Sequence, residues 1–392
     1  MSPSTIVRRL SALGVATILV GALLPAGPAS AQDAPGVTLK AARTLISFGQ
    51  KVRLSGAIEP AAEGETVNIV DEDATVLATT TTDAAGHYAL RLAPRRNVKV
   101  RAQWTAAFSD EIPLRVKPLL RAGLDHVRVF GKGRLHGSLL PAHGDGEVTY
   151  TLKRAGKEVG HGRIPVKNGR WFSTRVAIKK PGTYRAVVHF DDADHSPARQ
   201  SSPSRTTSLP SLGIGSKGTM VKVLEKRLKK LHYHLDGVDR RYDYRTSDAV
   251  IAFNKVQGRT RTGSVDASTW KALGSPKIPR PVARKPRFHI EVDQTKQVVY
   301  MVKKGKVNGI LHVSTGANGY THDGVYHVYR KLAGTSGGGL YYPSYFDGLR
   351  ALHGWSEVPT YNASHGCVRL PMWAAQWVFG KAKIGTEVRV YH

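Results

Sequence analysis

The chain has 392 residues, 41% of them hydrophobic, with 58 Lys and Arg against 29 Asp and Glu, a formal net charge of +29. That length suits several domains, and the charge favours anionic partners. Its one cysteine, Cys367, excludes an intramolecular disulfide framework, and no nucleic-acid module signature is present, so nucleic acid is not expected as a partner.

Residues 1–31 open with Arg8 and Arg9, run apolar from Leu10 to Leu24 and end in a small-residue Ala-Ser-Ala at Ala31. This is the pattern of a secretory signal peptide. The apolar run is fifteen residues and stops at Pro25, whereas a bilayer span needs about 20. We expect cleavage after Ala31, an exported protein in the extracytoplasmic wall space, and no stable membrane anchor. Removal of the two arginines leaves 56 basic against 29 acidic residues, or +27. The excess is spread along the chain, +1 over 33–117, +9 over 118–206, +7 over 212–274 and +6 over 287–392. Such a diffuse field suits anionic cell-wall polymers better than a groove for nucleic acid.

Residues 33–117 and 118–206 read as a repeat. Arg53, Leu54, Gly56, Pro60 and Val67 recur 81 positions later as Arg134, Leu135, Gly137, Pro141 and Val148. Short alternating segments punctuated by Gly, Pro and Asp predict two all-β sandwiches. They resemble bacterial immunoglobulin-like spacer domains. Neither contains a catalytic constellation.

The period changes after residue 206. Val221, Leu224, Leu228 and Leu231, then Val250, Ile251 and Phe253, then Trp270 and Leu273 behind an expected N-cap at Asp266, predict three short helices in 212–274. This small bundle resembles a peptidoglycan-binding domain through Gly218, Asp236, Gly237, Ala249, Gly263, Thr269 and the apolar positions just named. Residues 275–286 hold four prolines and no acid, the composition of a semi-rigid spacer of about 37 Å.

Residues 287–392 are expected to be mostly β, with one short helix around Met372–Phe379. A nucleophilic cysteine needs a base, a group to orient that base, and donors for an oxyanion. The sole histidine after Cys367 is His392, so the base is sought upstream, at His353 or His365. His365 is two residues from the thiol, too close in an extended segment for easy ring-to-sulfur contact, which favours His353. Gly354 can offer a carbonyl to the other ring nitrogen, and Gly366 leaves room for a substrate carbonyl near the amides of Gly366 and Cys367. A zinc site at His353, His365 and Cys367 lacks a fourth ligand at a usual spacing. No metal and no cofactor are expected.

The stretches His-Val-Ser-Thr-Gly at 312–316, Leu-Tyr-Tyr-Pro-Ser-Tyr-Phe-Asp-Gly-Leu-Arg-Ala-Leu-His-Gly at 340–354 and Ser-His-Gly-Cys-Val-Arg-Leu-Pro at 364–371 resemble the L,D-transpeptidase catalytic domain. The resemblance implies that Cys367 takes the acyl group of a peptidoglycan tetrapeptide stem, releases D-alanine, and passes the acyl group to an amine of a neighbouring stem. It also implies His353 as base, Gly354 as orienting carbonyl, and Ser364, His365 and Gly366 shaping the oxyanion site. Arg369 occupies the position after the cysteine that is Asn or Arg in the family, and Tyr342 and Trp355 are candidates for lining the peptide groove. Carbapenem-type β-lactams are implied as covalent inhibitors. Water as acceptor instead of an amine, a sortase-like enzyme and a non-catalytic wall-binding protein are the competing readings.

Overall fold

The computed structural model describes residues 35–142 and 146–392; the expected signal peptide, 1–31, lies outside the described residues. The described part is mostly β, with four α-helices. It falls into two compact units, one formed mainly by residues 51–93 and 98–114 and the other by 115–392 with two short earlier segments.

In the first unit Val52–Glu59 is flanked by Gly36–Val37, Lys40–Ala41 and His87–Leu92, all antiparallel. Thr66–Val70 lies between Val76–Thr81 and Val98–Trp104. Inward positions alternate along each strand, so Val52, Leu54, Ile58, Val67, Ile69 and Val100 are all buried. Gly56 is dictated by close approach, because a Cβ there would lie 1.9 Å from the Thr38 carbonyl oxygen and 2.5 Å from the Tyr88 hydroxyl.

The second unit begins with the same device. Gly131–Leu140 lies between Leu119–Asp125 and Trp171–Ile178, and a Cβ on Gly137 would meet the Arg121 carbonyl oxygen at 2.0 Å and the Phe172 ring at 2.2 Å. The repeat seen in the sequence is therefore a repeat of packing, with a backbone carbonyl and an aromatic ring filling the space at both glycines. A second sheet, with Glu147–Arg154 between Lys157–Pro165 and Thr183–Phe190, shares its core through Leu124, Leu135, Val148, Phe172 and Val188.

The helices α1 (Thr219–Lys230), α2 (Tyr244–Gln257) and α3 (Ala267–Gly274) follow. Asp243 caps α2 by accepting from Thr246 N at 3.1 Å, and Asp266 caps α3 with a reciprocal capping box to Thr269. Val221, Leu224, Leu228, Val250, Phe253, Trp270 and Leu273 are buried together. Leu231 and Ile251 stay half-buried at the margin.

This core does not end with the helices. It continues into Val298, Tyr300, Val302 and Ile310 of the next sheet. The segment after α1 also pairs with that sheet's edge strand, Lys306–His312: His234 N donates to Ile310 O and Ile310 N to His232 O, both at 2.9 Å. At Ile310 the edge strand thus has both outward backbone groups satisfied. Residues 275–286, expected from their prolines to be an extended spacer, are held by side chains on either side. Gln257 binds both backbone groups of Lys277 at 2.7 and 3.0 Å, and the buried Glu291 carboxylate accepts from Val282 N and Ala283 N at 3.1 and 3.0 Å. Composition gave the stiffness of the segment, but its path is set by the apolar faces it joins.

Residues 287–392 form two sheets and α4 (Met372–Lys381). One runs in the order Lys306–His312, Val298–Lys303, Phe288–Asp293, Glu387–Tyr391, Gly324–His327, and the other in the order Arg330–Lys331, Tyr341–Asp347, Arg350–Trp355, Val368–Pro371. Ile290, Val292, Phe346, Leu352, Val368, Ala374 and Val388 fill the space among them.

Excising 287–392 uncovers Val298, Tyr300, Val302 and Ile310. Each costs about 1.5–3 kcal/mol when exposed, against a total stability of about 5–15 kcal/mol for an ordinary domain. The fragment 287–392 is expected to melt at least about 10 °C below 212–392, as followed by circular dichroism; equal melting temperatures would contradict a shared core.

Candidate functional site

The site is built on two neighbouring parallel strands. Arg350–Trp355 pairs with Val368–Pro371 in the register Leu352 to Val368 and His353 to Arg369. Cys367 directly precedes the second strand, two residues before Arg369, which is the register partner of His353.

His353 is 2% exposed. Its Nδ1 lies 2.9 Å from Gly354 O; a carbonyl only accepts, so Nδ1 carries the proton and Nε2 is left with a free lone pair. The Trp355 ring stands edge-on to it at 5.6 Å, and the Arg369 guanidinium lies 5.3 Å from the Trp355 ring centre. Gly354 must be glycine here, since a Cβ would meet Ala375 Cβ at 2.8 Å and the Tyr341 ring at 3.0 Å. Cys367 is half-buried, its Sγ 3.7 Å from Leu349 O. Burial pushes the thiol's pKa up, opposed by a backbone N–H from Ala351 and by the charges of Arg369 and Arg350. Burial also lowers the pKa of His353, with the Gly354 carbonyl opposing it and Arg369 adding to it. Both shifts favour a neutral thiol beside a neutral imidazole.

The loop that carries the thiol is held from within. Ser364 Oγ donates to Cys367 O at 2.5 Å and accepts from Gly366 N at 3.0 Å. The Gly366 amide, one of the two donors expected for an oxyanion, is therefore already engaged. Gly366 has φ of +122°, and a Cβ there would lie 2.9 Å from Tyr320 O. His365 is exposed, unlike the buried His353. Tyr342 packs edge-on against Tyr341 and Phe379 at 4.8 and 5.1 Å, and Trp355 is half-buried beside His353.

The strand end at 312–316 acts as a rail for the same loop. His312 Nε2 donates to Val358 O at 2.8 Å, Ser314 Oγ to Tyr361 O at 2.6 Å, and Thr315 O accepts from Ala363 N and Ser364 N. Thr321, 1% exposed, accepts from Gly316 N at 2.7 Å and donates to Gly366 O at 2.8 Å.

Residues from the helical region reach this rail. Lys255, 3% exposed, donates to Gln297 O and Val313 O at 2.9 Å each and contacts His312 Nδ1 at 2.7 Å. Its burial lowers its pKa to about 6, while burial and the lysine lower that of His312 to about 3. A neutral His312 that donates through Nε2 can accept at Nδ1, so three acceptors surround Lys255 Nζ, whose lowered pKa leaves it largely a neutral amine near pH 7. Arg261 donates to Thr360 O at 2.6 Å and to Thr295 O at 2.8 Å. Trp373 of α4 donates to Asp248 at 2.7 Å, and His234 stacks on Trp377 at 3.9 Å.

Sequence reasoning missed Lys255, Arg261, Thr321 and Arg350. Arg350 bonds Tyr320 O, Asp347 and His322 at 2.5, 2.8 and 3.1 Å. Arg350 stands three residues before His353 in a quoted motif and was open to notice; Lys255 and Arg261 carry no local signal.

Residues 287–390 match the family described as the L,D-transpeptidase catalytic domain, and residues 217–273 the one described as a putative peptidoglycan binding domain. A solved L,D-transpeptidase from Xylanimonas cellulosilytica is 33% identical over 48% of this chain and 99% of its own, with a TM-score of 0.44. One from Stackebrandtia nassauensis is 24% identical over 46% and 95%, with a TM-score of 0.30. The catalytic domain of an L,D-transpeptidase from E. faecium is 26% identical over 28% and 100%, with a TM-score of 0.25. The comparison with curated proteins gives no match.

Because Arg261 grips the loop rather than the reacting atoms, Arg261→Ala is expected to slow acylation of Cys367 by a large substrate-like reagent about tenfold. Alkylation by iodoacetamide, which needs no aligned groove, should be unaffected. Mass-spectrometric time courses compare the two; faster alkylation of the variant would point to simple unfolding, which exposes a thiol whose pKa burial raises.

Proposed function

The chain belongs to the L,D-transpeptidase family, and from that premise we propose that it forms peptidoglycan cross-links through an acyl-enzyme on Cys367. The observation that carries the reading is the buried His353, with Nδ1 committed to Gly354 O and paired in register with Arg369, two residues after Cys367.

In the first step the Cys367 proton passes to His353 Nε2 as Sγ attacks the carbonyl carbon before the terminal D-alanine of a tetrapeptide stem. The carbon–sulfur bond forms, the carbon–nitrogen bond breaks, and the proton leaves on the amine of D-alanine. In the second step an amine of a neighbouring stem attacks the thioester and gives up its proton, and Sγ departs and is reprotonated. One amide replaces another, so no cofactor is needed. With the Gly366 amide engaged by Ser364, we assign the Cys367 amide as oxyanion donor, and Ser364 and Gly366 as the frame of its turn. Arg369 suits a stem carboxylate. His365 lies outside the proton path in this reading, and Tyr342 and Trp355 flank the groove.

Domains that act on peptidoglycan suggest an extracytoplasmic location, and no helix among the described residues is long and apolar enough to cross a membrane. We take 33–117 and 118–206 as immunoglobulin-like spacers, 212–274 as the wall-binding region, and carbapenems as reagents that acylate the same thiol.

Purified protein is incubated with disaccharide tetrapeptides and the products are weighed by mass spectrometry. A dimer with released D-alanine supports transfer; a tripeptide with D-alanine assigns water as the acceptor; no D-alanine removes the proposal. Cys367→Ala should abolish product, and His353→Ala should cost at least about a hundredfold, with His365→Ala close to wild type. The rate should fall as pH falls through the His353 pKa, because protonation removes the base. Since burial lowers that pKa, the acid limb is expected below the ordinary histidine value. An acid limb above it would reverse the assignment.

A further inference from the structure

We propose that the cleft between the sheet containing Gly131–Leu140 and α1 binds a linear phosphodiester polymer. The cleft is about 660 Å³; Lys132, Arg134 and Arg175 line it from the sheet, Lys222, Lys226 and Arg240 from the helical region, and no carboxylate lines it. A second cleft of about 370 Å³ shares Phe130, Gly131, Val223 and Lys226 and extends the track to Lys179 and Lys230.

The cations are placed at a cost. Arg134 and Arg175 are direct cross-strand partners, where like charges repel. Lys222, Lys226 and Lys230 follow one another at four-residue steps along α1, where like charges also repel. Arg128 lines the same cleft; among the described residues none of these seven Lys and Arg forms a salt bridge, and the side chain of Arg134 donates only to Ser173 Oγ at 3.3 Å. Convergent, unneutralised cations of this kind are relieved by a bound anion. The steps along α1 rise about 6 Å each, a spacing that successive phosphates of an extended chain can follow, so a polymer fits the track better than a single ion.

Nucleic acid fits less well. Sequence-tolerant binding of single strands uses aromatic platforms for the bases, and the aromatic ring in the cleft, Phe130, is covered by Arg227 at 4.8 Å and Trp270 at 6.2 Å. The choice of a wall polymer over nucleic acid rests on the wall-acting reading above; the cation geometry does not.

The test uses the full chain and a fluorescent poly(glycerol phosphate) oligomer, with oligothymidylate of equal charge as competitor, over a range of salt. The triple variant Arg175→Gln, Lys222→Gln, Lys226→Gln is compared with Arg121→Gln, Arg185→Gln, Arg199→Gln, which removes the same charge from exposed positions elsewhere. We expect the first to weaken binding at least about tenfold and to reduce the slope of log affinity against log salt by about 2 to 3, and the second to change affinity less than roughly threefold. Equal losses in both triples, or no binding by the unaltered chain, overturn the site. Tighter, cleft-dependent binding of oligothymidylate overturns the polymer assigned to it. Acylation of Cys367 is followed in every variant: an unchanged rate shows that the variants are folded, and separates loss of the cleft from failure of the transpeptidase reading.

Discussion

Lys255 is the contact on which the catalytic region most depends. It is the side chain of a helix, yet its Nζ reaches Gln297 O, Val313 O and His312 of the neighbouring sheet. A buried polar amine without partners costs free energy, and so do carbonyl or ring acceptors left dry. Neither region is therefore complete by itself at this point. The bond also sets the next one, since His312 turns its other nitrogen to Val358 O and so fixes the start of the loop that ends at Cys367.

From that junction the order of dependence runs outward. The loop is gripped at Val358, Thr360 and Tyr361 by His312, Arg261 and Ser314, and its last turn by Ser364 and Thr321. Residues 212–274 thus have two capacities, a surface of their own and a share in the frame of the reacting loop. The apolar continuity of Phe253 and Trp270 with Tyr300 and Ile310 makes the second as physical as the first. This is why the proline-rich segment between them lies against both.

Charge is arranged on another principle. In the interior, burial suppresses it, lowering the pKa of His312 and His353 and raising that of Cys367, which favours the neutral forms. At the surface it is left unopposed, most strongly around Arg134, Arg175, Lys222 and Lys226. The segment totals were read as a diffuse field, because a count along the chain cannot tell that residues 175 and 222 face one cleft.

The sequence by itself determined the local and the chemical. The period-three-and-four spacing of Val221, Leu224 and Leu228 pointed to α1, Asp266 to the start of α3, and Gly56 and Gly137 to a repeat. The lone Cys367 behind a Ser-His-Gly turn, with His353 upstream, marked the proposed reacting pair, since these signals lie within a few residues or in a residue type with few other uses. What only the tertiary structure decided was everything carried by contacts between distant segments. Lys255 and His312 are 57 residues apart and Arg261 and Thr360 are 99 apart. In the sequence a lysine and an arginine on a basic chain look like solvated surface, and only the burial of one helix face against one sheet edge gives them acceptors.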